Sequence, residues 1–534
     1  MNLTILLSFL FVTVSAALVS VYATRRQQRQ TPVSFYLGNR SLGFWMIGSS
    51  MFLTNMSANQ FIGENEFVYT TNMSVMAWGM SSVLAMLIVS EFLMPMYLKI
   101  GAVTTPDFLA RRFDAQTQRI VSVIFLLGYF VNLIPSVLYG CAVAVNGIFH
   151  IDEWLNISYF SAIQLIVLVV GVVGCLYNIL GGLRAITITD VVQGVGMLIG
   201  GSMIVWYGFR YLGDGNMWEG VKMLTLTHRE HLNAIGGPGD ALPFGTLFTG
   251  MLLINIYYWG LEQYIVQEAL ASRNLAESQK GIALASVGKL FAPLLLNVPG
   301  LIAVHLYPGL ENTATAFPRL VSDILPPVFI GLVAAVVFGG ALSTFNAGLN
   351  STGTLFTMNL YKPWLERKGQ TADEHQLLRS GKLLQTGVTI AAIFFSPYIM
   401  YFDGGFYNYL QKVSSFFSVP VFTIMVVGLL TKKVPPLAAK VGIIFFVTVY
   451  TATQFLFDTG LHYLHVLAIL FGVTTAIMLL IGRLVPMKAA FSMPRHAVVN
   501  ILPWKSRYVY YVLLLILMVG MFVLFSPAGI AGEQ

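Results

Sequence analysis

The chain has 534 residues, 30 Lys+Arg against 23 Asp+Glu for a formal net charge of +7, 56% hydrophobic residues and only 10% charged ones. Soluble domains carry about 25% charged residues, so a water-soluble globule is excluded, and so is disorder, which needs low hydrophobicity and many charges. Two cysteines exclude a disulfide framework and a Cys-rich metal protein. What remains is an all-α polytopic membrane protein, whose basic excess is the cytoplasmic bias of such chains rather than a nucleic-acid surface.

Runs of about 20 mostly apolar residues, enough to cross the hydrocarbon core, fall in chain order at 2–23, 42–66, 74–97, 120–147, 158–180, 187–208, 245–270, 280–306, 327–360, 380–401, 407–430, 436–456, 462–483 and 508–526. This predicts about fourteen transmembrane helices in a single membrane domain, 1–534, inserted in a lipid bilayer. The first run lacks a basic leader and is followed by TRRQQRQ, so it reads as a retained span rather than a signal peptide. With the N-terminus outside, the inner loops collect Arg25, Arg26, Arg29, Arg40, Lys99, Arg111, Arg112, Lys432, Lys433, Lys440 and most other basic residues. The outer loops hold only Arg210, Lys222, Arg229 and Arg319. Lys289 and Lys412 are left in or at the end of apolar spans. The inner loop at 362–379 is charged and predicted to form a solvated amphipathic helix.

Polar groups in hydrocarbon are costly, so the spans that contain them point to function. The second, SLGFWMIGSSMFLTNMSANQFIGENEFVY, carries Thr54, Asn55, Ser57, Asn59, Gln60, Glu64, Asn65 and Glu66. A broken helix lining a cavity would use these and the freed carbonyls; alternatively, the residues from 64 onward lie in an outer loop. The seventh, LLINIYYWGLEQYIVQEAL, puts Asn255, Tyr258 and Glu262 on one face if it is continuous. The eighth holds Lys289 deep in the span. The ninth, VFGGALSTFNAGLNSTGTLFTMNLY, is a run of small and hydroxyl residues. It fits either close helix packing or a cage of neutral oxygens for a hard cation. Asp190 lies just inside a further span, where an acid is functional or a cap.

An enzyme would need a convergent nucleophile, base or metal cluster, and none is legible. His228 and His231, and His462 and His465, are pairs without a full ligand motif, and Cys141 and Cys175 lie on apolar faces. No enzymatic activity and no nucleic-acid partner are expected.

Six stretches in order, GNRSLGFWMIGSSMFLTNMSANQFIG, YNILGGLRAITITDVVQG, NIYYWGLEQYIVQ, AESQKGIALASVGKL, STFNAGLNSTGTLFTMNLY and YNYLQKVSSFF, resemble the sodium/solute symporters, the group of the bacterial sodium–galactose and animal sodium–glucose transporters. The similarity runs from about residue 36 to 436. It implies a LeuT-type fold, in which two sets of five helices form inverted repeats around midplane sites. On this scheme 2–23 is an extra N-terminal helix, 42–208 the first repeat, 245–430 the second, and 436–526 three C-terminal helices. The family's sodium ligands fall on the carbonyls of Leu53, Met56 and Gly340 and the hydroxyls of Ser343 and Thr344, with Asp190 beside them. Some members bind a second sodium through hydroxyls a few residues further on. Asn346 and Ala347 stand there, so one sodium ion per turnover is expected.

The resemblance puts the solute against Gln60, Ser82, Asn255, Lys289 and Gln411, with Tyr258 and Trp259 at the inner gate and Glu64, Trp78 and Tyr407 at the outer one. Two positions depart from the family. A sugar-binding glutamate is replaced by Gly79, and an apolar gate residue by Glu64, whose carboxylate is the candidate replacement. The resemblance therefore implies sodium-coupled symport of a sugar or sugar-like polyol across a bacterial inner membrane, with a monomer sufficient. The other reading it leaves open is a carboxylate or amino-acid solute such as sialic acid, coupled to sodium or protons.

Overall fold

Backbone buried in hydrocarbon must find its hydrogen bonds within its own segment. The chain meets this demand with helices, and no strand occurs among the described residues. The structure, a computed structural model, describes residues 3–24, 31–371, 373–401, 406–457, 459–493 and 497–532, without the side chains of 24, 59, 406–409, 411 and 412. The elements used below are α1 (Leu3–Thr24), α2 (Phe44–Asn55), α3 (Ala58–Thr70), α4 (Met73–Lys99), α5 (Ala115–Phe149) and α6 (Tyr159–Leu212). Then come α7 (Gly250–Gly260), α8 (Gln263–Leu270), α9 (Leu275–Leu306), α10 (Pro327–Arg367), α11 (Glu374–Tyr401), α12 (Phe406–Leu430), α13 (Pro436–Phe455), α14 (Tyr463–Leu484) and α15 (Arg507–Leu524).

Eleven stretches of the described residues are long and apolar enough to cross a membrane. The fourteen predicted from the sequence differ from these for two reasons. The spans at 158–180 and 187–208 are one helical run, α6, bent at Gly182. The spans at 42–66 and 245–270 are each broken into two short helices, α2/α3 and α7/α8, too short to qualify singly. Two interrupted helices thus stand in the chain, one after α1 and one after α6.

The long, small-residue face of α10 packs against α6, and α2 lies against α6, α9 and α10. The breaks therefore sit at the centre of the molecule. The N-terminal α1 runs along α6 and α10 on the periphery. At the other end, α15 docks on α4 and α9, where the Arg507 guanidinium donates to both carboxylate oxygens of Glu91 at 2.8 and 3.0 Å.

One open alternative is decided and two local expectations are corrected. The residues from 64 to 70 are helical, not an outer loop, and Glu66 accepts a hydrogen bond from Thr313 at 2.7 Å. Glu262 does not share a helical face with Asn255 and Tyr258, because α7 ends at Gly260 and Glu262 is the extended residue that starts α8. The charged stretch at 362–379 is not one amphipathic helix. It completes α10 at Arg367, turns at Gly369 and starts α11 at Glu374.

The bend in α6 requires glycine. Gly182 has φ +65° and ψ −179°, a region closed to L side chains, and a Cβ there would lie 2.9 Å from the Phe35 carbonyl oxygen. Gly182→Ala is expected to cost about 1–3 kcal/mol, read as a lower melting temperature of the purified protein. Gly194→Ala is its control: nothing lies within 4 Å of a Cβ there, and that substitution is expected to be neutral or stabilising by up to about 1 kcal/mol.

Candidate functional site

A helix that ends leaves its last four carbonyls without intrahelical donors. At the end of α2 these lie deep in the protein. Met56 (φ −85°, ψ 62°) and Ser57 (φ −79°, ψ 172°) form the break, and both residues are buried. Of the freed carbonyls, Thr54 O accepts from the Thr344 hydroxyl at 2.6 Å. Those of Leu53 and Met56 accept no hydrogen bond among the described residues.

The break meets α10 at a glycine. A Cβ on Gly340 would come within 2.4 Å of Met56 O, so only glycine allows this approach. One turn on, Ser343 Oγ lies 3.0 Å from Thr54 Oγ1, and Thr344 Oγ1 also bonds Gly340 O at 3.0 Å. The structure therefore brings Leu53, Met56, Gly340, Ser343 and Thr344 to one buried place. Asp190 joins them from α6: it is 1% exposed and accepts from Ser50 at 2.5 Å. Neutral carbonyl and hydroxyl oxygens backed by an acid are the donor set a hard monovalent cation takes in place of water.

Beside this cage opens a cavity of about 1210 Å³, counting its mouth. Its walls include Gln60, Glu64, Trp78, Ser82, Asn255, Tyr258, Trp259 and Lys289, all named from the sequence, and also Thr54, Asn55 and Thr344 from the cage side. The Lys289 ammonium, buried on α9, donates to Asn55 Oδ1 at 2.7 Å. Asn55 Nδ2 donates to the Tyr258 hydroxyl at 3.0 Å, which also accepts from Tyr264 at 3.0 Å. Ser82 donates to Asn255 Oδ1 at 2.7 Å, and Asn255 Nδ2 donates to Ser81 at 2.8 Å. Gln60 Oε1 is buried without a partner. Glu64, 5% exposed, faces the same cavity, while Gly79 contributes no wall to it. The side chains of Gln411 and Tyr407 lie outside the described residues.

Sequence reasoning left several wall residues unassigned. Asn55, which links Lys289 to Tyr258, was visible only as one polar residue among many in a broken span. Glu262 accepts from Tyr129 at 2.6 Å, and both line the cavity. A single tyrosine in an apolar span gives no signal of that. Glu268 accepts from Thr54 at 2.9 Å beside the cage, and its place followed only from knowing where α8 begins.

Among known proteins, the model of the Sodium:solute symporter family matches residues 35–445. The Escherichia coli (strain K12) symporter YidK is 37% identical over 534 residues, all of this chain and 93% of that one. The Vibrio parahaemolyticus sodium/glucose cotransporter is 28% identical over 447 residues, 79% of each chain. Among solved structures, an outward-open Na+-coupled sialic acid symporter superposes with TM-score 0.78 over 92% of this chain and 99% of its own, at 18% identity. At that identity the likeness speaks for the fold, which is of the LeuT type.

The Asn55–Lys289 bond is charge-assisted and buried. Removing the acceptor with Asn55→Ala is expected to cost about 1.5–3 kcal/mol. In a double-mutant cycle with Lys289→Met, melting of the purified protein should show a coupling of at least about 1 kcal/mol. Strict additivity would contradict the contact.

Proposed function

The chain belongs to the sodium:solute symporter family, and on that premise we propose that it carries a sugar or sugar-like polyol into the cell with sodium, by alternating access. It is a sodium-coupled solute symporter and not an enzyme. The proposal concerns the solute, the residues and the setting. The setting is the plasma membrane, for a bacterial cell the inner membrane, with the N-terminus outside and a monomer sufficient. Residues 42–208 and 245–430 are the two inverted repeats, followed by three helices over 436–526.

One observation carries the reading: the ion cage and the cavity share a wall. Thr54, Ser57 and Thr344 line the cavity, and at the same break Met56 O lies against Gly340 and the Thr54 hydroxyl against Ser343. Sodium in the cage would tie the free carbonyls of α2 to the hydroxyls of α10. That holds the start of α3, and with it Gln60 and Glu64, in place to meet the solute. Affinity for one is thereby raised by the other, and such coupling is reciprocal. The two bind, Tyr258 and Trp259 on one side and Trp78, Glu64 and Tyr407 on the other close in turn, and the halves rock. A membrane potential of 100 mV adds about 2.3 kcal/mol per sodium ion.

The cavity chemistry favours a neutral polyhydroxylated solute. Amides and hydroxyls of Gln60, Ser82 and Asn255, with Gln411 by family position, alternate donors and acceptors, as sugar hydroxyls require. Trp78 offers an apolar face. Two carboxyl groups, Glu64 and Glu262, line the cavity against a single ammonium, Lys289, a balance that disfavours an added anion. A carboxylate or amino-acid solute such as sialic acid, coupled to sodium or to protons, is the second reading. It is favoured by Lys289 alone.

Uptake into proteoliposomes of labelled hexoses, inositol and sialic acid, with and without an inward sodium gradient, tests this. Sodium-stimulated uptake of a neutral compound is expected. Ser343→Ala should raise the sodium requirement about tenfold or more, and Glu64→Gln should weaken the solute about 10- to 100-fold, the worth of one hydrogen bond to a charged group. Uptake of the acid alone would discard the sugar and leave the symporter.

A further inference from the structure

Glu268 has no role in the reading above, yet it stands beside the cage. It projects from α8, is 0% exposed, and accepts one hydrogen bond, from Thr54 Oγ1 to Oε1 at 2.9 Å. Its other oxygen, Oε2, is buried with no partner. Next to it is the Asp190 carboxylate, also buried, held by Ser50 at 2.5 Å. The Ser50 hydroxyl lies between the two acids, and Asp190 also faces Ser343 of the cage. Among the described residues no Lys, Arg or His pairs with either carboxylate.

Two buried carboxylates side by side with no basic partner are strongly unfavourable as anions, and either protons or metal cations must neutralise them. One sodium ion in the cage neutralises one of the two. A second monovalent cation brings the group to zero, whereas a divalent ion in its place would leave a surplus of one positive charge. The available donors are two carboxylates and two hydroxyls, all oxygen, from three helices, as a hard cation requires.

We propose that Asp190 and Glu268, with the Ser50 and Thr54 hydroxyls, bind a second sodium ion on the α2–α8 side of the cage. This place is distinct from positions 346 and 347, where Asn346 and Ala347 offer no hydroxyl. The inference rests on the sodium-coupled reading of the cage. Its consequence is two sodium ions per solute: under a tenfold sodium gradient the accumulation limit rises from about tenfold to about a hundredfold.

The test is the number of sodium ions bound by purified full-length protein at saturation, measured with the radioactive isotope and no solute. Two are expected for the wild type and one for Glu268→Gln. Ser50→Ala should keep two, one of them weakened by about tenfold or more. A count of one for the wild type overturns the second site and leaves symport standing. Two ions bound unchanged by both Glu268→Gln and Ser50→Ala overturn the assignment to this cluster. No sodium on any form overturns the cage as well. If Glu268→Gln does not fold, the wild-type count and Ser50→Ala decide between the same outcomes.

Discussion

The contact between Met56 O and the bare α-carbon of Gly340 fixes the centre of the molecule. A helix interrupted in the middle of a membrane leaves carbonyls with no water to bond. Here the opposing helix resolves this in part: the Thr344 hydroxyl takes Thr54 O, and the close approach at Gly340 brings Ser343 within 3.0 Å of Thr54. The Leu53 and Met56 carbonyls meet no donor among the described residues. A cation is the natural complement to those oxygens. On our account its arrival and departure is what lets the break be rigid in one state and loose in another.

The second interrupted helix complements the first. Its first half supplies Asn255 and Tyr258 to the cavity, and the break itself supplies Glu262. Its second half supplies Glu268 to the cage. On the proposed reading, ion and solute meet the same two breaks from opposite sides, and a shared wall would convert the binding of one into a change in affinity for the other, without a long path between them.

Much of this was legible in the sequence, because polar residues in apolar spans are rare enough to stand out. Gln60, Ser82, Asn255 and Lys289 line one cavity, and Ser343, Thr344 and Asp190 cluster at the break, where the motifs put them. The positions of the apolar spans were also legible, since hydropathy follows bilayer thickness, although two of them form one bent helix and two are broken. What failed was local. Spacing alone grouped Glu262 with Asn255 and Tyr258, which the break at Leu261 separates, and it gave Glu268 no place. A break is set by what packs against it, as Gly340 does at Met56 across about three hundred residues of chain, and the local pattern around Leu261 carries no trace of such a partner. Tyr129 was invisible for the same reason.

The most direct test of the account is hydrogen exchange at the backbone amides of residues 53–60 in the purified protein, in sodium and in potassium. If sodium joins the broken ends of α2 and α3 to α10, these amides are more protected in sodium, and Ser343→Ala abolishes the difference. Equal exchange in the two salts, with the wild type binding sodium normally, would contradict it.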